Sequence, residues 1–274
     1  MKKIGILYHP MNEAARGQAE EVESFLSARG LTVWLCSVWD GDQARPQVNG
    51  TELLLTVGGD GTILRAAQIA ASAPQPVPIT GINLGKLGFM TELSAGEVKD
   101  KLPVLLEGKG WLDERAMLEA SIDGGGSYYA LNDVVVARGA VARVVYVEVN
   151  IDGEKLTTYK ADGVVVATAT GSTGYSLSAG GPILYPRSRE YLLSPILPHL
   201  SLAYSLVLPA TAVVKLRVAT VHEATLSIDG HINPPLADGA VITVKNSATS
   251  ARFLRLRPEN AFYSTLERKL KGKH

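Results

Sequence analysis

The run Leu53-Leu54-Leu55-Thr56-Val57 leads without a spacer into Gly58-Gly59-Asp60-Gly61-Thr62, and then into a helix-forming stretch over 63–71. A strand that is apolar on both faces must be covered on both sides, as in the centre of a parallel sheet flanked by helices. The neighbouring sequence repeats this alternation. Residues 4–8 form a short apolar run, and 13–29 carry Ala15, Ala19, Val22, Phe25 and Leu26 at helical spacing before Gly30, a helix-stop residue. The β-rich segments 31–38 and 77–84 and a helical pattern over 95–106 continue the rhythm. This βαβ succession implies a doubly wound α/β N-terminal domain over residues 1–110.

From Trp111 the pattern changes. Residues 144–151 are β-branched and run into Asp152-Gly153, a hairpin signal because glycine accepts positive φ cheaply. Asp229-Gly230 and Asp238-Gly239 separate further apolar runs at 224–228 and 241–244, and 134–137, 164–168, 205–208 and 213–218 add strands. Many short strands with turn punctuation predict a β-rich second domain over 111–250. Residues 251–274 are expected to return to the N-terminal domain, and their basic ending from Leu266 to Lys273 reads as a solvated tail.

The 27 basic and 27 acidic side chains balance, which argues against a nucleic-acid binder but leaves room for a local basic pocket for a phosphorylated ligand. No apolar stretch reaches the ~20 residues of a membrane-spanning helix, and the first apolar run stops at His9-Pro10, too soon for a signal peptide. Cys36 is the only cysteine, so no intramolecular disulfide forms. Together these features predict a cytoplasmic protein with neither nucleic acid nor membrane as partner.

Residues 58–62 fall at the carboxyl end of a strand, where doubly wound sheets bind ligands. Glycines there admit a phosphate close to the backbone, and the following helix offers free N–H groups. Neither Walker A nor GxGxxG is satisfied. Asp60, the acid among the glycines, suits acceptance of a hydroxyl proton during phosphoryl transfer; a tight turn with an Asx-type hydrogen bond is the alternative. A second cluster, Thr170-Gly171-Ser172-Thr173-Gly174-Tyr175-Ser176-Leu177-Ser178-Ala179-Gly180-Gly181-Pro182, follows an apolar strand. Its hydroxyls and amides suit the polar edges of a nucleotide, and Tyr175 suits packing on a ring. Asn132-Asp133, at another strand start, offers an amide for an adenine edge and a carboxylate for ribose hydroxyls, or simply a turn.

In this order and setting, 58–62, Asn83-Leu84-Gly85-Lys86-Leu87-Gly88-Phe89, Asn132-Asp133 and 170–182 resemble the NAD kinases, and the resemblance runs to Pro258-Glu259-Asn260. The GGDGT run is shared with diacylglycerol and sphingosine kinases. The 170–182 segment, followed by Ser194-Pro195-Ile196-Leu197-Pro198-His199, is specific to NAD kinases within that superfamily. The resemblance implies that the second domain is a C-terminal all-β sandwich following the α/β domain. It also implies transfer of a terminal phosphate from ATP, or polyphosphate, to the adenosine ribose 2′-hydroxyl of NAD. It makes Asp60 the base and places Gly61 beside the substrate. It has Asn132 and Asp133 hold the adenosine, Asp162 contact the dinucleotide, and Thr173, Gly174, Tyr175, Ser176, Leu177 and Ser178 line the pocket. Arg65, Arg143 and Lys160 match positions where cations balance phosphate charge, and Phe89 is a further candidate beside the adenine. Mg²⁺ is implied as arriving with the donor, and a homo-oligomer, dimer or tetramer, is implied as the assembly. Asp133 stands where the family commonly has glutamate, Ala169 for proline, Gly174 for alanine and His231 for glutamine. His231 and His199 read as structural residues. A lipid kinase and a non-catalytic dinucleotide sensor are the competing readings; no basic amphipathic helix of the membrane-surface kind supports the first, and retention of Asp60 opposes the second.

Overall fold

The computed structural model describes residues 1–85, 88–139, 144–199, 203–220 and 223–270. They form two compact units, Met1–Glu114 with Ala251–His274, and Arg115–Ser250.

The first unit contains β1 (Lys3–Tyr8), α1 (Glu13–Ser27), β2 (Thr32–Ser37), α2 (Gly41–Val48), β3 (Leu53–Val57), α3 (Asp60–Ala70), β4 (Ile79–Asn83), β5 (Leu93–Ser94) and α4 (Val98–Leu106). β2, β1, β3 and β4 are parallel neighbours in that order. Ile4, Ile6, Leu53, Leu55 and Val57 share a core with Ala15, Ala19, Val22 and Leu26 of α1 and Leu102 and Leu105 of α4. The alternate residues face the other way, where Ile63 of α3 packs so closely over Gly81 that a Cβ there would lie 2.5 Å from it. This two-sided burial is why β3 is buried at all five positions and apolar at all but Thr56.

The second unit contains most of β6 (Trp111–Ile122), then β7 (Ser127–Ala130), β8 (Asp133–Arg138), β9 (Val145–Ile151), β10 (Glu154–Ala161), β11 (Gly163–Ala167), α5 (Tyr175–Ser178), β12 (Tyr191–Ile196), β13 (Leu206–Leu208), β14 (Val213–Ala219), β15 (Ala224–Ile228), β16 (Pro235–Leu236) and the first part of β17 (Val241–Arg255). β10, β9, β14 and β17 make one antiparallel run, and β13-β12-β11-β8-β15-β16 another. Val134, Val136, Val164 and Val166 from the second run share one core with Val147, Val149, Leu216 and Val244 from the first, which makes the unit a sandwich. The outward Val135, Val165, Ala167 and Leu192 are buried too, because Ala179 and Leu184 pack on them. The hydroxyl-rich segment is thereby laid on the outer face of β8 and β11.

Several elements add to what the sequence pattern specifies. Residues 41–48 form a helix despite Pro46, with Ala44 and Val48 as its buried face. The 170–182 segment holds two short helical turns, Gly171–Thr173 and α5, rather than a simple loop. The basic ending belongs largely to a helix, α6 (Ala261–Leu270), whose last turn carries Arg268 and Lys269. The last part of β17 pairs parallel with β4 within the first unit, Phe253 opposite Ile79.

Candidate active site

Gly58 leaves β3 at φ +154°, and a Cβ there would lie 2.3 Å from Thr62 Oγ1, so this position admits only glycine. Gly59 and Gly61 are different. A Cβ at either meets open space, so the fold itself does not require them. Glycine at these places keeps the backbone uncovered where α3 begins and its first N–H groups are free.

Asp60 is the first residue of α3, and the extended Gly59 caps it without a side chain. Its carboxylate accepts hydrogen bonds from the backbone N–H of Phe89 (2.9 Å, to Oδ2) and of Met90 (3.1 Å, to Oδ1). A Cβ on Gly88 would lie 2.1 Å from Oδ1, so that glycine makes room for the contact. The 88–90 segment is itself held. Arg255, buried near the end of β17, donates to the Met90 carbonyl at 2.6 Å and lies 3.3–3.4 Å from the carboxylates of Asp113 and Glu92. Glu92 also accepts the N–H groups of Leu256 and Arg257 at 2.9 and 2.7 Å. The orientation of Asp60 therefore depends on a buried ion-pair cluster whose arginine lies 165 positions beyond Met90 in sequence. Arg65, one turn and a half along α3, makes no ion pair among the described residues; burial lowers its pKa from the ordinary value.

In the second unit Asn132 and Asp133 open β8. The Asp229 carboxylate accepts N–H groups from Leu131 (2.9 Å), Asn132 (2.7 Å) and Asp133 (3.1 Å). Asp229 stands at φ +48° in its hairpin, a conformation unusual for a residue with a Cβ. Both aspartates are 7% exposed, and burial, followed by the charge of Asp229, pushes the Asp133 carboxyl up to about 7. Thr168 Oγ1 donates to the Leu131 carbonyl (2.6 Å) and accepts the Gly171 N–H (3.0 Å). Gly171 lies against the Asn132 carbonyl with no room for a Cβ (2.1 Å), and a Cβ on Gly174 would stand 3.8 Å from Asn132 Nδ2 and 4.0 Å from Asp133 Oδ2. Asn132 Oδ1 is buried yet accepts no hydrogen bond, so a polar group at hand for a ligand remains.

The structure thus gathers Asn132, Asp133, Thr173 and Gly174 at one end of β8 and β11. Tyr175 and Ser178 are exposed, Leu177 is half-buried, and Ser176 is fully buried with Gly181 packed on its hydroxyl. Asp162 is not in this group. It precedes β11 at the opposite end, about 17 Å along the strand from Ala167, in an ion pair with Arg138 (3.0 Å). Lys160, exposed on β10, has its Nζ 6.0 Å from the Tyr146 ring centroid. Arg143 and the Lys86-Leu87 part of the Asn83–Phe89 motif lie outside the described residues. His199, read from the sequence as packed, is exposed, and its backbone N–H donates to the Lys160 carbonyl (2.7 Å). Its flanking Leu197 sits at φ +46°, which turns the chain outward after β12.

Sequence reasoning missed Asp229, Arg138, Glu92 and Arg255. Asp229-Gly230 carried a turn signal that hid the carboxylate's second task. For the others no local pattern exists, because their partners are brought by long-range pairing.

Two similar solved folds define the class. A crystal structure of yeast NADH kinase complexed with NADH superposes with a TM-score of 0.86 at 26% identity, covering 100% of this chain and 88% of that one. An NAD kinase from Archaeoglobus fulgidus in complex with ATP gives 0.80 at 25% identity, covering 99% and 100%. These are kinases of nicotinamide dinucleotides. The family models for the ATP-NAD kinase N-terminal and C-terminal domains match residues 37–110 and 131–256. Among curated relatives, an NAD kinase of Dehalococcoides mccartyi is 51% identical over 99% of this chain and 96% of its own length. One of Chloroflexus aggregans is 40% identical over 99% of each. The chain belongs to the NAD kinase family.

Proposed function

We propose that the chain is an NAD kinase, transferring the terminal phosphate of ATP to the 2′-hydroxyl of the adenosine ribose of NAD. The observation that carries this reading, beside family membership, is Asp60: a carboxylate clamped by two amides at the head of a helix whose glycines leave the backbone open. Each carboxylate oxygen retains a second lone pair for the ribose hydroxyl. Asp60 takes the hydroxyl proton as the 2′-oxygen bonds to the terminal phosphorus. The bond from that phosphorus to the bridging oxygen breaks, and ADP leaves with its electron pair. Free N–H groups of α3 and the unpaired Arg65 offset the charge on the transferring group. Asn132 and Asp133 hold the adenosine, with Thr173, Gly174, Tyr175, Ser176, Leu177 and Ser178 around it. Asp162 meets the more distant part of the dinucleotide, in keeping with its place at the other end of β11. Lys160 and Arg143 add positive charge. Mg²⁺ enters with the donor, whose phosphate oxygens are the hard ligands it prefers. The reading extends to a cytoplasmic homo-oligomer; among the described residues no helix is long and apolar enough to cross a membrane.

Incubation with NAD and Mg²⁺, and either ATP or polyphosphate, tests the proposal by the NADP formed. Formation with ATP supports it, and phosphorylation of a lipid but not NAD would replace it with the lipid-kinase reading.

A further inference from the structure

The carboxyl ends of β2, β1 and β3 bring together residues that the proposed chemistry leaves unused. Trp39, just beyond β2, is 50% exposed although it is the bulkiest kind of apolar side chain. His9, just beyond β1, meets its indole edge-on with ring centroids 5.7 Å apart. The Arg65 guanidinium reaches over the same indole, 5.6 Å from its centroid. His9 also borders the glycine turn, its Cβ 3.3 Å from where a Gly58 Cβ would stand. Two polar atoms here are buried without a partner: His9 Nδ1 and the hydroxyl of Thr62, a residue 1% exposed in the first turn of α3.

A surface aromatic residue normally gains by covering itself with apolar neighbours. This indole instead keeps one side open next to a cation that makes no ion pair among the described residues, and next to the N–H end of a helix. Such a juxtaposition suits a ligand with a flat ring and a string of phosphates: the ring stacks on the indole, and the phosphates meet Arg65, Thr62 and the backbone at Gly59 and Gly61. A purely inorganic chain of phosphates would use the second half and leave Trp39 idle.

We infer that Trp39, flanked by His9 and Arg65, is the platform on which the base of the phosphate donor stacks. The inference rests on the kinase reading for the word donor, but its test needs no turnover. Binding of Mg–ATP and of Mg–tripolyphosphate is measured by calorimetry, without NAD, for the wild type, Trp39→Ala and Trp39→Phe, with melting curves to check folding. Trp39→Ala is expected to weaken ATP binding about 10-fold and to leave tripolyphosphate binding within about 2-fold, with Trp39→Phe recovering most of the loss. Equal ATP binding by Trp39→Ala and wild type, or parallel losses for both ligands, would overturn the inference and leave a surface cation–π pair only. A loss of NAD binding with ATP binding intact would overturn it too, by giving the indole to the acceptor. Trp39-dependent ATP binding without NADP formation would instead sink the kinase reading and spare this one.

Discussion

Asp229→Asn is the substitution with the most informative consequences. The carboxylate it alters is 7% exposed and accepts three backbone N–H groups, two at Oδ1 and one at Oδ2. An amide can keep its oxygen on Asn132 and Asp133, but its NH₂ then faces the Leu131 N–H, donor against donor. One charge-assisted bond is lost and two become neutral. At ~1.5–3 kcal/mol for a bond to a charged group and about 1 for a neutral one, the net destabilisation is about 3 kcal/mol. That corresponds to a fall in Tm of roughly 6–12 °C. The same change removes the charge that, after burial, raises the Asp133 carboxyl to about 7. In the wild type the folded state retains this proton where the unfolded chain has released it. Asp133 therefore lowers stability progressively as pH rises from about 4 to about 7, and its contribution is flat above that. In Asp229→Asn that slope shrinks, with burial alone sustaining what remains. The acid limb of the KM for NAD moves to lower pH as well, since the carboxylate form of Asp133 is then available earlier. Melting curves and NAD saturation from about pH 5 to about pH 9 measure both. An unchanged Tm together with an unmoved acid limb would refute the claim that Asp229 organises this turn.

Gly61→Ala should leave stability unchanged or raise it by up to ~1 kcal/mol, because alanine is the better helix former and its Cβ meets open space, yet lower turnover by covering the backbone. Gly58→Ala should instead destabilise by at least ~1–3 kcal/mol, through its φ and the Thr62 clash; urea titration distinguishes the pair. Arg255→Met strands Glu92 and Asp113 as buried carboxylates, so a loss of ~3–5 kcal/mol is expected by the same titration. A loss below about 1 kcal/mol would show that the ion-pair cluster does not fix the 88–90 segment.

The legible parts of the sequence were those set by local pattern. Leu53–Val57 announced a central strand because both faces must be buried, and Asp152-Gly153 announced its hairpin, where φ is indeed positive at both residues. What failed was set by distant partners. Helix α2 is short and polar and interrupted by Pro46, so only the packing of Ala44 and Val48 discloses it. β12 contains Pro195, a residue that argues against a strand, yet it pairs with both β11 and β13. In the site, Asp60 and Asn132-Asp133 were visible as odd polar residues at strand ends. The side chains that hold them, Arg255 through Met90 and Asp229 through three amides, lie 96 positions away or more and carry no local signature. His199 misled because exposure of the chain after Leu197 depends on a left-handed backbone that composition does not reveal.

The central claim is that the clamped carboxylate of Asp60 accepts the ribose proton. The direct test is Asp60→Asn, an isosteric change, measured for NADP formation and for NAD binding on the same preparation. The account predicts a fall in kcat of about 10²–10⁴ with NAD affinity within about 3-fold of wild type, while melting curves confirm a folded protein. NADP formation at near wild-type rates by the folded variant would contradict it.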